Sequence, residues 1–226
     1  MEEMKGKNRL REPGSADIFT TKDGRRIQII AGRQVTGEDI LAAAYLDRST
    51  YEEEYFLTVE TCVGYISKNP YIYTMAVDTA TGRIIAYLNF SPVTKAMYET
   101  IRSGEVLDTV ITPEDIVPYT PDTEIYAYMS SIVVAAEYRG QSIALSLFRH
   151  FFRFLRDYTN ENRIVIRRIV ADAVTEEGYR LAGELGFDYV KDSGHDSKIM
   201  EFASNKTGIR VTEWNKDLLK IYRRLS

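Results

Sequence analysis

Cysteine is almost missing from this sequence. Cys62 stands alone, so no disulfide can close within the chain. Such sparse use fits a reducing compartment. Glycine (14) and proline (6) are also sparse in 226 residues, so no large part has a disordered composition. No apolar run reaches the roughly 20 residues that span a bilayer, and no membrane partner is expected. The opening stretch MEEMKGKNRLREPGSAD lacks the apolar centre of a secretion signal, which leaves a cytoplasmic location as the default. Excess positive charge is absent too. The 29 basic residues face 33 acidic ones, a net charge of −4. Nucleic-acid backbones are held by clustered Lys and Arg, so no nucleic-acid partner is expected either.

What is present is enough apolar material, 44% of the residues, for one sizeable core. Residues 1–17 read as a polar tail punctuated by Pro13-Gly14-Ser15, and residues 18–226 as one domain. A turn at Lys22-Asp23-Gly24 precedes a first strand over 26–31. Thr36 or Gly37 starts a helix, with Glu38 and Asp39 where the helix dipole favours acids. Ser49 or Thr50 is the candidate cap of a second helix over 51–69, stopped before Pro70. Strands over 71–77 and 83–90 flank the hairpin loop DTATG. Residues 92–121 mix helical character with turn signals and read as an insertion over one sheet end. Long connections of this kind often build a substrate wall.

A strand over 124–134, a helix from 142 to about 158, a strand over 163–174 and a helix over 175–185 follow. Gly186 ends that helix, strands over 187–191 and 198–203 come next, and an amphipathic helix over 212–226 closes the chain. Strand-helix-strand order implies parallel crossovers in a mixed α/β sheet. The last helix has two packing choices: its own sheet, or a second copy in a homodimer.

The run SSIVVAAEYRGQSIALSLFRHFFRFL carries chemistry. A strand ends at Val134, a short turn follows, and a helix starts near Ser142. First-turn amides of a helix lack internal partners and bind anions, phosphate above all. Gly140 permits close approach, Ser142 and Ala144 are small, and Arg139 adds charge. The alternative is a solvated turn before an ordinary helix. A P-loop is excluded because no Gly-Lys-Ser/Thr follows, and a dinucleotide fingerprint because two of its three glycines are missing.

On these residues the chain resembles the GNAT superfamily of acyl-CoA-dependent N-acyltransferases. The family signature, Arg or Gln, two residues, Gly, one residue, then Gly or Ala, is similar to Arg139-Gly140-Gln141-Ser142-Ile143-Ala144. A later block, TEEGYRLAGELGF, resembles the family helix that ends in Gly-Phe, here Gly186-Phe187. The resemblance implies a mixed, mostly antiparallel sheet of about seven strands flanked by helices. It implies acetyl-CoA as co-substrate, no metal, and a small-molecule or peptide amine as acceptor. Ile132, Val133 and Val134 are expected to pair with pantetheine as an added strand would. Amides of Gly140, Gln141, Ser142, Ile143, Ala144 and Leu145, beside Arg139, are expected to hold the pyrophosphate. Thr175 stands where the family often has a coenzyme-side asparagine. The strands ending near Val134 and Val174 are expected to splay.

Three departures go with this. Ser142 replaces a signature glycine. Ala182 stands where the family often has a proton-donating tyrosine. Tyr128 stands where some members have a glutamate. A non-catalytic acyl-CoA-binding or sensing module is therefore the alternative to an enzyme.

Amine acylation needs a base, oxyanion donors and a proton for the thiolate. Strict alternation puts Glu124, Tyr126, Tyr128, Ser130 and Ile132 on one strand face. Glu124 is a candidate base acting through water, or a solvated strand end. Tyr128 is a candidate donor, or a core aromatic. Tyr179, one turn before Ala182, is a candidate stand-in acid, or helix packing. His195 beside Asp192 and Asp196 has no second His or Cys to make a metal site. His150 and Cys62 read as packing residues.

Overall fold

The structure, a computed structural model, describes residues 17–48 and 50–222. The tail 1–16, the cap candidate Ser49 and residues 223–226 of the last helix lie outside them. Asp17 itself belongs to a strand, not to the tail. The strands are β1 (Asp17–Thr20), β2 (Arg26–Ala31), β3 (Tyr73–Asp78), β4 (Ile84–Val93), β5 (Glu124–Val134), β6 (Val165–Ala173), β7 (Asp188–Asp192) and β8 (Lys198–Ala203). They form one eight-stranded sheet in the order β1-β2-β3-β4-β5-β6-β8-β7, and β1 is the strand missed by sequence reasoning. Every neighbouring pair is antiparallel except β5 and β6. That pair encloses the crossover helix α4 (Ile143–Asn162).

Helices α1 (Gly37–Asp47), α2 (Val59–Lys68) and α3 (Lys95–Ser103) cover one face of the sheet. Helices α4, α5 (Glu176–Leu185) and α6 (Lys216–Tyr222) serve the other. Between the two layers β4 is buried at every position. Thr36 caps α1 as expected, exchanging hydrogen bonds with Asp39. The second helix starts later than expected, because Thr58 accepts from the Thr61 amide and Glu53–Tyr55 forms a separate 3-10 turn. Pro92 and Val93 pair with Ala127 and Tyr126, so the segment read as an insertion leaves the sheet only after Val93. The apolar residues of α6, among them Leu218 and Ile221, are buried against α4 and the sheet.

One irregularity shapes the sheet. Along β4 and β5, Asn89 faces Ser131 and Phe90 faces Met129, which leaves Ser130 as an extra residue. A bulge of this kind reverses the side-chain alternation beyond it and bends the strand. Tyr126 and Tyr128 therefore join the α1–α3 layer, whereas Ile132 and Val134 pack on the α4 side. The single face expected from Glu124 to Ile132 is divided in two. Pairing between β5 and β6 also stops at Met129 and Ala171. Beyond that point β6 stays paired to β8, and β5 to β4 alone.

Candidate active site

The split between β5 and β6 opens a cleft of about 1180 Å³. Its walls are the free edge of β5, the turn into α4, the end of β6, and α5. Ile132, Val133 and Val134 line it, and the β5 edge facing β6 offers unpaired main-chain donors and acceptors. At the turn, Arg139, Gly140, Ser142, Ile143 and Ala144 line the same space. Helix α4 begins without a side-chain cap, so its first amides stay available. Gly140 and Ser142 both take left-handed backbone angles, φ 76° and 63°. A Cβ at Gly140 would meet nothing within 4 Å, so glycine serves conformation there and not clearance. Gln141 and Leu145 do not line the cleft, and the Gln141 Oε1 atom is buried with no hydrogen-bond partner among the described residues.

Two cations attend the turn. Arg139 Nε donates to the Val134 carbonyl at 3.2 Å and ties the turn to the strand end. Lys22 Nζ approaches the Gly140 carbonyl at 3.4 Å, a neighbour that a sequence separation of 118 residues concealed. Thr175 caps α5, its hydroxyl accepting from the Gly178 amide at 3.0 Å, and it also lines the cleft. The cleft thus combines an unpaired main-chain edge with the uncapped first turn of a helix, two features that can hold an extended, anionic ligand.

Two expected catalytic residues lie elsewhere. Glu124 opens β5 at the end away from the split and pairs with Arg167. That hydrogen bond holds its carboxyl below the usual range. Tyr179 does not line the cleft, and its ring lies 5.1 Å from Lys198 Nζ. Ala182 does line it and offers no hydroxyl. Arg168 pairs with Glu201 at 2.5 Å, so neither arginine of Arg167-Arg168 serves the cleft. His150 is buried beside Asp17, Nδ1 to Oδ2 2.8 Å.

Behind the split a second, small chamber of about 50 Å³ adjoins the cleft. Tyr51, Ser130, Ser131, Asp172 and Val174 border both spaces and form the passage between them. Tyr128 lines this chamber and donates to Asp108 Oδ2 at 3.0 Å. Asp108 comes from the segment expected to form a substrate wall. Asp47, at the end of α1, lines the chamber too and accepts from the Tyr87 hydroxyl. Burial pushes the Asp47 and Asp108 carboxyls up to about 6 each, against the tyrosine hydrogen bonds that pull the other way. Burial also raises Asp172. It pushes the Tyr51 hydroxyl up to about 12 and the Cys62 thiol up to about 11, so both keep their protons at neutral pH. Cys62 is accordingly no nucleophile. Sequence reasoning missed Asp47, Asp108, Asp172 and Tyr51. Of these only Asp172 carried a signal, as an acid inside the apolar run RIVADAV.

A model described as the acetyltransferase (GNAT) family matches residues 38–187. No curated protein sequence matches the chain. Similar solved folds include Ard1 from Thermoplasma volcanium, with 12% identity and a TM-score of 0.52, covering 78% of this chain and 97% of that one. The loading GNATL domain of CurA from Lyngbya majuscula has 9% identity and a TM-score of 0.56, covering 78% and 97%. A NatC complex bound to Gag peptide and CoA has 14% identity and a TM-score of 0.51, covering 77% and 95%. At these identities the likeness is one of fold.

Proposed function

Since the chain belongs to the acetyltransferase (GNAT) family, we propose that it is an N-acetyltransferase that moves an acetyl group from acetyl-CoA to a primary amine of a small molecule or peptide. One observation carries this reading: where the sheet splits, a cleft of about 1180 Å³ adjoins an acid-lined chamber, and the two share Tyr51, Ser130, Ser131, Asp172 and Val174. The main-chain edge at Ile132, Val133 and Val134 would hold pantetheine. Arg139, Gly140, Ser142, Ile143 and Ala144 would surround the pyrophosphate, with Lys22 close by at the Gly140 carbonyl.

At the passage the amine nitrogen attacks the thioester carbonyl carbon, a C–N bond forms and the C–S bond breaks. The amine proton passes to Asp172, directly or through one water. Burial brings that carboxyl closer to the amine in proton affinity than an ordinary carboxylate. Free β5 amides face the developing charge on the carbonyl oxygen. The departing thiolate takes the proton of Tyr51, which borders both spaces and replaces the hydroxyl that Ala182 lacks, and the amine proton held on Asp172 returns to Tyr51 through the shared space.

The rival is a binding module, favoured by Ala182. The test is to mix the protein with acetyl-CoA and a panel of primary amines and to follow free thiol. Thiol release with at least one amine is expected. Tight coenzyme binding with no release for any amine would establish the rival.

A further inference from the structure

The inner chamber carries a property that acyl transfer alone does not require. Asp47, Asp108 and Asp172 all line it, and no Lys, Arg or His does. Two of their oxygens, Asp108 Oδ1 and Asp172 Oδ1, are enclosed by protein and have no hydrogen-bond partner among the described residues. A buried carboxylate oxygen without a donor is costly, and folds retain such groups where a ligand supplies the donor. Among the described residues no three acidic, His or Cys side chains converge on a point that would hold a metal ion. The three carboxyls reach the chamber from three separate elements, the end of α1, the 3-10 turn at Asp108–Val110 and β6. That arrangement suits a molecule whose positive charges are separated along its length.

Size narrows the class further. The chamber's 50 Å³ amounts to on the order of four water positions at roughly 10–15 Å³ each. That is room for one ammonium and the methylenes next to it, and too little for a whole sugar ring. The walls suit such a chain. Tyr73, Tyr87 and Tyr128 contribute aromatic rings to the lining, and Leu57 and Cys62 contribute apolar contact. Asp172 lies at the passage, and Asp47 and Asp108 lie only in the chamber. The spacing separates a reacting end from a parking end.

Resting on the acyl-transfer reading above, we infer that the acceptor is a slender linear diamine, whose free ammonium is held by Asp47 and Asp108 while its other nitrogen is acetylated beside Asp172. The step balances as before: the diamine gains one acetyl group, coenzyme A leaves as the thiol, and one proton is released.

The test compares kcat/KM for 1,4-diaminobutane, 1-aminobutane, 4-amino-1-butanol, glucosamine and a short peptide with a free N-terminus, with acetyl-CoA binding measured separately by calorimetry. The diamine is expected to exceed 1-aminobutane and the amino alcohol by about 10–100-fold, the worth of one buried charge-assisted hydrogen bond. In Asp47→Asn, and independently in Asp108→Asn, the diamine-to-monoamine ratio is expected to fall about tenfold, each variant being checked for unchanged coenzyme binding. Equal kcat/KM for diamine and monoamine, a preference for glucosamine or the peptide, or an unchanged ratio in both variants overturns the inference and leaves acyl transfer standing. Coenzyme binding without thiol release for any amine removes both.

Discussion

Replacing Asp108 by Asn is expected to stabilise the protein while harming its use of diamines. The native carboxyl titrates at about 6, above its ordinary 3.8, because burial disfavours the charged form. A folded value above the unfolded one means that ionisation costs stability. Below about pH 4 both states hold the proton and nothing is lost. Between pH 4 and 6 the loss grows, and above 6 it is complete. At 1.36 kcal/mol per pH unit the gap of about two units amounts to roughly 3 kcal/mol. The Asn carbonyl still accepts from the Tyr128 hydroxyl, but its amide brings donors that need partners, which leaves a net gain of about 2 kcal/mol. For a chain of this length that is roughly 4–8 °C in Tm. Thermal scans by circular dichroism from pH 4 to pH 8 would follow it. The difference between variant and parent should be about −1 kcal/mol at pH 4, rise through pH 6 to about +2 kcal/mol and then stay level. A variant that melts lower than the parent at pH 8, or an offset that ignores pH, would refute the claim that Asp108 is a carboxylate held at a cost.

Three further outcomes follow from the same geometry. Asp172→Asn should lower kcat by about 10²–10⁴-fold, the usual span of general-base catalysis, and should remove the acidic limb of the pH–rate profile; a retained limb assigns the base to another group. Ser142→Gly should relieve the left-handed strain at φ 63° and raise Tm by a few degrees, on the order of 1 kcal/mol, as read by differential scanning fluorimetry; a lower Tm would mean that the serine side chain repays its conformation. Arg139→Glu should weaken coenzyme A binding at least about tenfold by calorimetry, because it reverses a charge at the cradle and breaks the tie to the Val134 carbonyl; an unchanged Kd would count against the cradle.

Local signals carried much of the fold. Thr36 with Asp39, Gly186 after α5, and the turn from Arg139 into α4 are short-range patterns, and the structure has a helix start or end at each. Sequence reasoning failed wherever the deciding contact was remote. Nothing in EIYAYMSSIVV marks Ser130 as surplus, because a bulge is defined only against the partner strand. Strict alternation therefore put Ile132 on the face of Tyr128. Glu124 looked like a base because its distance from the split is a matter of topology. Asp47, Asp108 and Asp172 come from a helix end, a 3-10 turn and a strand, and only tertiary folding makes them one group. Tyr51 was assigned to a helix, yet it stands ahead of that helix, where the chain is free to turn its ring toward the passage.

The surplus residue at Ser130 also bears on how a binding slot can coexist with a sound core. Cavities made by trimming side chains weaken a protein in proportion to the void they leave. Here the opening lies between two backbones, and both apolar layers stay filled. Deleting Ser130 would restore plain alternation between β4 and β5 and turn Ile132 and Val134 to the opposite face, so this one residue decides which side chains border the opening.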